Sequence, residues 1–304
     1  MPRYIIVSFP WSSDLGERVR NHLVSRGLAV DHVVLETKQF PDGESYIRYP
    51  VNVGDYESAV IIQRAYPEQD RRLIQLVLAI HAALDLGVKH VHVVLPYMPY
   101  SRQDRRFRDG EPVSLTAVKQ LLNSLNVESL ITVDVHKPEA FMAQCNSCIN
   151  LEPFPLYADY IMRNWGGEPI VLLSPDLGSL WRVERVSKHH GLSYSYLEKF
   201  RDRVTGEVTM RPREIDVKGR DVVVIDDIIA TGGTIVEASK ILKSLGANKL
   251  HVIATHCLLL NNADSRILSS GASSITCTDT IPTKYSSVSI AGLISDALLS
   301  RLLP

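Results

Sequence analysis

The chain has 304 residues, with 33 basic and 34 acidic side chains and a formal net charge of −1. That length accommodates two domains, each with its own core, and the even charge balance argues against a broad nucleic-acid surface or a polybasic membrane anchor, so any anionic ligand has to be held locally. Met1-Pro-Arg-Tyr-Ile-Ile-Val7 runs straight into a strand pattern without the apolar region and cleavage site of a secretory signal, and the longest apolar helical stretch, Leu73 to Val88, is interrupted by Gln75, His81 and Asp85; no membrane segment and a cytoplasmic location are expected.

Short β-branched runs alternate with longer helical patterns along the chain: Tyr4–Val7, Ser58–Ile62, His90–Leu95, Leu130–Asp134, Pro169–Leu173, Val222–Ile225 and Leu250–Ile253. Such alternation predicts mostly parallel sheets covered by helices, with ligands collecting beyond the carboxyl ends of the strands. The polar clusters fall at those ends: Pro96–Gln103, Asp134–Lys137, Ser174–Asp176 and Asp226–Thr234. Leu121–His136 aligns without gaps to Ile241–His256, with identities at Leu122/Leu242, Ser124/Ser244, Leu125/Leu245, Leu130/Leu250 and His136/His256, which reads as a repeated helix, turn and strand. The polar, Pro-containing stretch Asn146–Pro155 is the expected junction. It gives domains 1–149 and 150–304, with the final helix available to pack on the first. The four cysteines, at 145, 148, 257 and 277, form no disulfide framework for a chain this large. Cys145-Asn-Ser-Cys148 has ligand-like spacing but no second such pair, so reduced structural thiols are expected rather than a zinc site or redox pair.

The most informative stretch runs from Val222 to Glu237, where an apolar strand meets paired carboxylates, a small-residue loop and a helix start. Gly232 and Gly233 permit backbone angles and close approaches that a side chain would block, so several N–H groups can converge on a phosphate. Thr234 and Glu237 fit a capping box, which would open the loop onto a helix N-terminus whose unpaired donors favour an anion. Asp226 and Asp227 could accept hydrogen bonds from two neighbouring ribose hydroxyls. The bland alternative is a turn with a solvated acidic pair.

This segment resembles the ribose-5-phosphate loop of the type I phosphoribosyltransferase fold, which leaves open transferases that consume phosphoribosyl pyrophosphate (PRPP) and synthetases that make it. A transferase needs one such domain with a base-binding hood, whereas this chain carries a second domain with its own polar constellation. Phe40-Pro-Asp-Gly-Glu44, Pro96–Arg105, Asp134-Val-His136, Ser174-Pro-Asp176, Lys199-Phe-Arg201 and the loop, in that order, resemble the ribose-phosphate pyrophosphokinase family. Arg105–Pro112 is closest to its archaeal-type branch.

The resemblance implies an α/β fold of two tandem type I phosphoribosyltransferase-like domains, each with a mostly parallel sheet flanked by helices. It implies ATP contacts from Phe40, Asp42 and Glu44 across a subunit boundary, with Arg102 and Gln103 completing the nucleotide site, and hence a homodimer or larger assembly. It places His136 and Asp176 at Mg2+, and Lys199 and Arg201 in a flap spanning Glu198 to Arg213 that closes over ATP. Ribose 5-phosphate would be held by Asp226 and Asp227 at its hydroxyls and by Ala230, Thr231, Gly232, Gly233 and Thr234 at its phosphate. Taken singly, each residue has a plainer reading: Phe40 as core, Asp42-Gly-Glu44 as a polar turn, Arg102, Arg105, Arg106 and Arg108 as a solvated face, His136 as a satisfied histidine like His256, and Lys199 and Arg201 as loop charges. Departures from the family pattern are Ser179 after Gly178, where a second glycine is common, and Ala230, where many members carry a carboxylate. The implied reaction is transfer of the β,γ-diphosphoryl group of Mg-ATP to the C1 hydroxyl of ribose 5-phosphate. The alternatives are a catalytically silent associated subunit and a phosphoribosyltransferase.

Overall fold

Apolar runs too short for helices and buried on both faces form the strands of two sheets. The computed structural model describes residues 4–302 except 168, 202–207, 214 and 215; the side chains of 199–211 lie outside that description. The chain divides into two compact units, Met1–Leu151 with Ile290–Pro304, and Glu152–Ser289.

The first unit runs β1 (Tyr4–Ser8), α1 (Ser13–Ser25), β2 (Val30–Val34), β3 (Glu36–Gln39), β4 (Ser45–Arg48), β5 (Ser58–Ile62), α2 (Gln69–Asp85), β6 (His90–Val94), α3 (Ser114–Asn123), β7 (Ser129–Val133), α4 (Pro138–Met142) and β8 (Cys148–Leu151). Its sheet has the order β2-β1-β5-β6-β7-β8 and is parallel throughout. β1, β5 and β7 are buried along their whole length, as strands covered by helices on both faces must be. β3 and β4 form a separate antiparallel hairpin.

The second unit runs α5 (Phe154–Trp165), β9 (Ile170–Ser174), α6 (Leu180–His190), β10 (Ser193–Arg201), β11 (Val208–Pro212), β12 (Asp221–Ile229), α7 (Gly233–Ser244), β13 (Leu250–Cys257), α8 (Ala263–Ser269), β14 (Ser274–Thr278) and β15 (Ser286–Val288). The sheet order is β11-β10-β9-β12-β13-β14-β15, with β10 and β11 the antiparallel pair. The last helix, α9 (Ala291–Leu302), belongs to the first unit. Ile294 and Leu298 join Leu15, Val19 and Leu23 of α1 in one buried cluster, Arg26 pairs with Asp296 at 3.1 Å, and the Tyr4 hydroxyl donates to the Leu302 carbonyl at 2.6 Å.

The two sheets share one strand order: β1, β2, β5, β6, β7 and β8 occupy the places of β9, β10, β12, β13, β14 and β15. This revises the repeat read from sequence. The aligned stretches are α3–β7 and α7–β13, and both do form a helix, a left-handed turn (Asn126, φ 56°; Gly246, φ 84°) and a strand. By sheet position, however, β13 matches β6 rather than β7. The local match comes from the common demands of a helix-to-parallel-strand turn, and His256 is not the counterpart of His136.

The expectation of reduced thiols is overturned as well. Cys145 is bonded to Cys148 and Cys257 to Cys277, and no cysteine is free among the described residues. Cys145 and Cys148 flank the turn into β8, while Cys257 ends β13 beside Cys277 on the adjacent strand β14. Strand adjacency, invisible in the spacing of 20 residues, brings the second pair together.

Candidate functional site

Polar side chains gather in both units. In the second unit the sheet changes direction of growth between β9 and β12, the position where open parallel sheets leave a crevice beyond their strand ends. Asp176 follows β9 and caps a short turn, its Oδ1 accepting from the Ser179 N–H at 3.0 Å. Asp226 and Asp227 lie inside β12, which runs on to Ile229, so the pair is not a terminating turn.

The two carboxylates differ in exposure, yet they stay close enough for one to act on the other. Asp227 is buried and accepts from Arg182 Nη2 at 3.3 Å. Asp226 is partly exposed; its Oδ1 accepts from Ser179 Oγ at 3.2 Å and from the Asp227 N–H at 2.9 Å. Burial, then the charge of Asp227, holds the Asp226 carboxyl well above the usual carboxylate range.

The small-residue loop leaves β12 at Ala230. Its carbonyl accepts from the Leu260 N–H at 2.9 Å, and that of Thr231 accepts from Arg266 Nη1 at 3.3 Å. Gly232 has φ 73° and caps α7, whose first residue is Gly233. The expected capping box is therefore not formed, and Thr234 lies in the first turn. The left-handed step at Gly232 starts the helix earlier and leaves the first-turn N–H groups of Gly233 and Thr234 without intrahelical acceptors, in the arrangement that binds anions. A Cβ on Gly232 would come within 3.0 Å of Ile267 and 3.2 Å of Ala263. We expect Gly232→Ala to lower stability by about 1–2 kcal/mol from the backbone penalty alone and to weaken sugar-phosphate binding, measurable by chemical denaturation and calorimetry.

Lys199 and Arg201 fall in β10 opposite Met210 and Val208 of β11. Their side chains, and residues 202–207 of the expected flap, lie outside the described residues.

In the first unit the equivalent switch point, between β1 and β5, is filled by the protein itself. Arg64 is 2% exposed and paired with Asp14, Trp11 Nε1 donates to Gln63 Oε1 at 2.6 Å, and the Arg72 guanidinium lies 4.3 Å from the Trp11 ring centre. The polar residues of this unit gather elsewhere. Phe40 is 39% exposed at the tip of the β3–β4 hairpin, so it is not core. Its ring meets Tyr46 edge-on at 5.7 Å, and the Asp42 carboxylate accepts from the Glu44 N–H at 3.1 Å. Glu44 lines a cleft of about 510 Å³ with Gln39, Arg71, Ile74 and Leu78.

Arg102 and Gln103, on the loop after β6, line a separate cleft of about 350 Å³ with Gln69, Asp70, Tyr97 and Tyr100. Tyr100 and Asp70 were not anticipated from sequence. Tyr100 has φ 62° and its hydroxyl donates to Asp70, tying the loop to α2. Ser114 donates to Gln103 Oε1, and the Leu115 N–H to the Gln103 carbonyl at 3.3 Å, which fixes Gln103 to the start of α3. Arg106 instead donates to the Glu111 carbonyl at 2.8 Å within its own turn.

His136 follows β7 on a braced segment. The Asp134 N–H donates to the Leu151 carbonyl and the Val135 N–H to Asn150 Oδ1, both at 2.8 Å. Buried Lys119 donates to the carbonyls of Ala140, Phe141 and Ala143 around the end of α4. No three metal-ligating side chains cluster among the described residues. His136 belongs to the first unit and Asp176 to the second; each is a donor type that a small hard cation accepts beside waters and phosphate oxygens.

Comparison with known proteins matches residues 4–125 to the N-terminal domain of ribose phosphate pyrophosphokinase and residues 156–289 to the phosphoribosyl transferase domain. The chain is 39% identical to a Methanopyrus kandleri protein named ribose-phosphate pyrophosphokinase, over 87% of this chain and 89% of that one. It is 37% identical to the Sulfolobus acidocaldarius protein of the same name, over 98% and 100%. Its fold is similar to that of a Mycobacterium smegmatis phosphoribosylpyrophosphate synthetase, with TM-score 0.84 and 24% identity over 99% of each chain. Among the described residues, no helix is long and apolar enough to cross a membrane.

Proposed function

The chain belongs to the ribose-phosphate pyrophosphokinase family, and on that premise we propose that it transfers the β,γ-diphosphoryl group of ATP to the C1 hydroxyl of ribose 5-phosphate, giving PRPP and AMP. The observation that carries this reading is the junction of β12 with α7, where two carboxylates precede a left-handed glycine and an open helix N-terminus. Neither alternative gains support: the match to the N-terminal pyrophosphokinase domain weighs against a transferase, and Lys199, Arg201, His136 and Asp176, whose loss would mark a silent subunit, are all retained.

Asp226 and Asp227 orient the sugar through its ring hydroxyls, while the backbone of Ala230–Thr234 receives the 5-phosphate. Sugar orientation matters because phosphoryl chemistry gains mainly from in-line positioning and charge neutralisation. Phe40 offers an exposed aromatic face to a purine, and Asp42 and Glu44 offer acceptors. Arg102 offers a cation for phosphate, and Gln103 a pre-oriented amide. Phe40, Asp42 and Glu44 serve the site of a neighbouring protomer, so the active form is a homodimer or larger. Asp176 and His136 would hold Mg2+, which supplies neutralisation of phosphate charge. Lys199 and Arg201 bring cations to the oxygens that gain charge as the bond between the α,β-bridging oxygen and the β-phosphorus breaks. The C1 hydroxyl oxygen forms the new bond to that phosphorus and its proton passes to solvent; AMP leaves. The reaction belongs to nucleotide biosynthesis in the cytoplasm.

Phosphorus NMR of the purified protein with Mg-ATP and ribose 5-phosphate should show AMP and PRPP resonances growing together, and growing far more slowly in Lys199→Ala. Hydrolysis to ADP, or no turnover with any of several divalent metals, would overturn the assignment.

A further inference from the structure

Two side chains that the sequence motifs left without a role hold the acidic pair from behind. Ser179 and Arg182 lie three residues apart where the turn after Asp176 enters α6. Ser179 donates through its hydroxyl to Asp226 Oδ1 (3.2 Å) and through its N–H to Asp176 Oδ1 (3.0 Å), so the serine that replaces a common glycine links the two acidic positions. Arg182 and Asp227 are 1% and 4% exposed and meet at 3.3 Å. The Arg182 guanidinium also lies 4.5 Å from the Trp181 ring centre, and Trp181 packs edge-on against Phe154 at 5.4 Å. A cation this buried requires a compensating anion, and the planar guanidinium constrains the orientation of the carboxylate it meets.

We propose that Arg182 and Ser179 are positioning residues for sugar recognition, Arg182 setting Asp227 and Ser179 setting Asp226 so that both carboxylates meet neighbouring ribose hydroxyls in a fixed orientation. This rests on the reading of the β12–α7 junction as the ribose-5-phosphate site. Neither side chain touches the reacting atoms; each acts through the carboxylate it holds. A fixed acceptor pair discriminates against a sugar that lacks one hydroxyl, because one carboxylate then loses a hydrogen-bond partner at the site. Arg182 therefore governs the preference for ribose 5-phosphate over 2-deoxyribose 5-phosphate as well as affinity.

The test is steady-state kinetics of the full-length wild type, Arg182→Met, Arg182→Lys and Ser179→Ala, varying each substrate separately, with thermal melting as the folding control. Arg182→Met is expected to raise KM for ribose 5-phosphate about 30-fold or more and to shrink the ribose-to-deoxyribose ratio of kcat/KM, with KM for ATP held within about twofold. Arg182→Lys should recover most of this loss, leaving KM about 3–10-fold raised because a point charge replaces the fork. Ser179→Ala should raise it about 3–10-fold through one lost hydrogen bond. A folded Met variant with an unchanged ribose 5-phosphate KM and sugar ratio overturns the inference. A structural role alone would lower melting temperature and active fraction without changing that ratio, and overturns it too. If the Met variant does not fold, the Lys variant decides: an unchanged KM and sugar ratio overturn the inference, and a selective rise in ribose 5-phosphate KM supports it. A wild type that forms no PRPP overturns the functional reading together with the inference, whereas an active wild type beside indifferent variants overturns the inference alone.

Discussion

Replacing Lys199 by alanine is expected to lower kcat about 1,000-fold, or roughly 4 kcal/mol of transition-state stabilisation, while leaving the melting temperature unchanged. The second half of the prediction follows from position. Lys199 lies where β10 has left its parallel partner β9, which it pairs only through Ser193–Tyr196, and runs with β11 alone. The central strands of the sheet, β9 and β12, are buried along almost their whole length without its help. The first half follows from chemistry: the departing AMP gains negative charge as the bond to the β-phosphorus breaks, and a cation that meets that charge lowers the barrier more than it tightens ground-state binding. KM for ATP should therefore move much less than kcat. Arg201, two residues on, should behave similarly, and the double variant should lose less than the product of the single losses if the two act as one unit. Near-wild-type turnover of Lys199→Ala in a steady-state assay removes the residue from catalysis.

The sequence made the central strands legible and the margins much less so. The β-branched runs at 4–7, 58–62, 90–95 and 222–225 lie in β1, β5, β6 and β12 within a few residues, because strands buried on both faces must be apolar throughout. β2, β3 and β4 escaped notice because their patterns are partly exposed and mixed in polarity. They take hydrogen-bond partners at a sheet edge or in a hairpin, where burial does not dictate composition. Gly232 could be picked out as a special backbone position, but its effect on the helix start could not. A left-handed residue ends one element and caps the next, and the competing Thr234–Glu237 pattern looked equally sound. The second disulfide was illegible because it depends on strand order rather than on spacing. Arg182 did leave a trace that was not read: one arginine among Val183, Val186 and Ser187 on the buried stripe of α6. A cation on such a stripe demands a buried anion opposite, and the only adjacent carboxylates in the neighbouring β12 pattern were Asp226 and Asp227.

Asp226→Asn should weaken ribose 5-phosphate binding about 100-fold and at the same time make the ligand-free protein more stable. The loss follows because the ionised carboxylate only accepts, whereas the amide presents a donor on one side, at a site proposed to need acceptors for sugar hydroxyls. The gain follows from the sign of the Asp226 shift. Burial and the Asp227 charge raise its carboxyl pKa, so the folded state holds that proton more tightly than the unfolded chain. The associated stability is fully present below the ordinary carboxylate pKa and is lost as pH rises through the raised folded value. Above that window the wild type carries two adjacent negative charges, with one buried guanidinium paired to Asp227, whereas the asparagine variant carries one. The advantage of the variant should therefore grow as pH rises through that window and vanish as pH falls below the ordinary carboxylate range. Melting curves between pH 4 and about pH 8, with calorimetric titration of the sugar phosphate, read both effects. A variant that binds poorly but melts like the wild type at every pH would mean that Asp226 is not strained by its neighbour, and that the acidic pair is stabilised by its surroundings rather than held ready for a ligand.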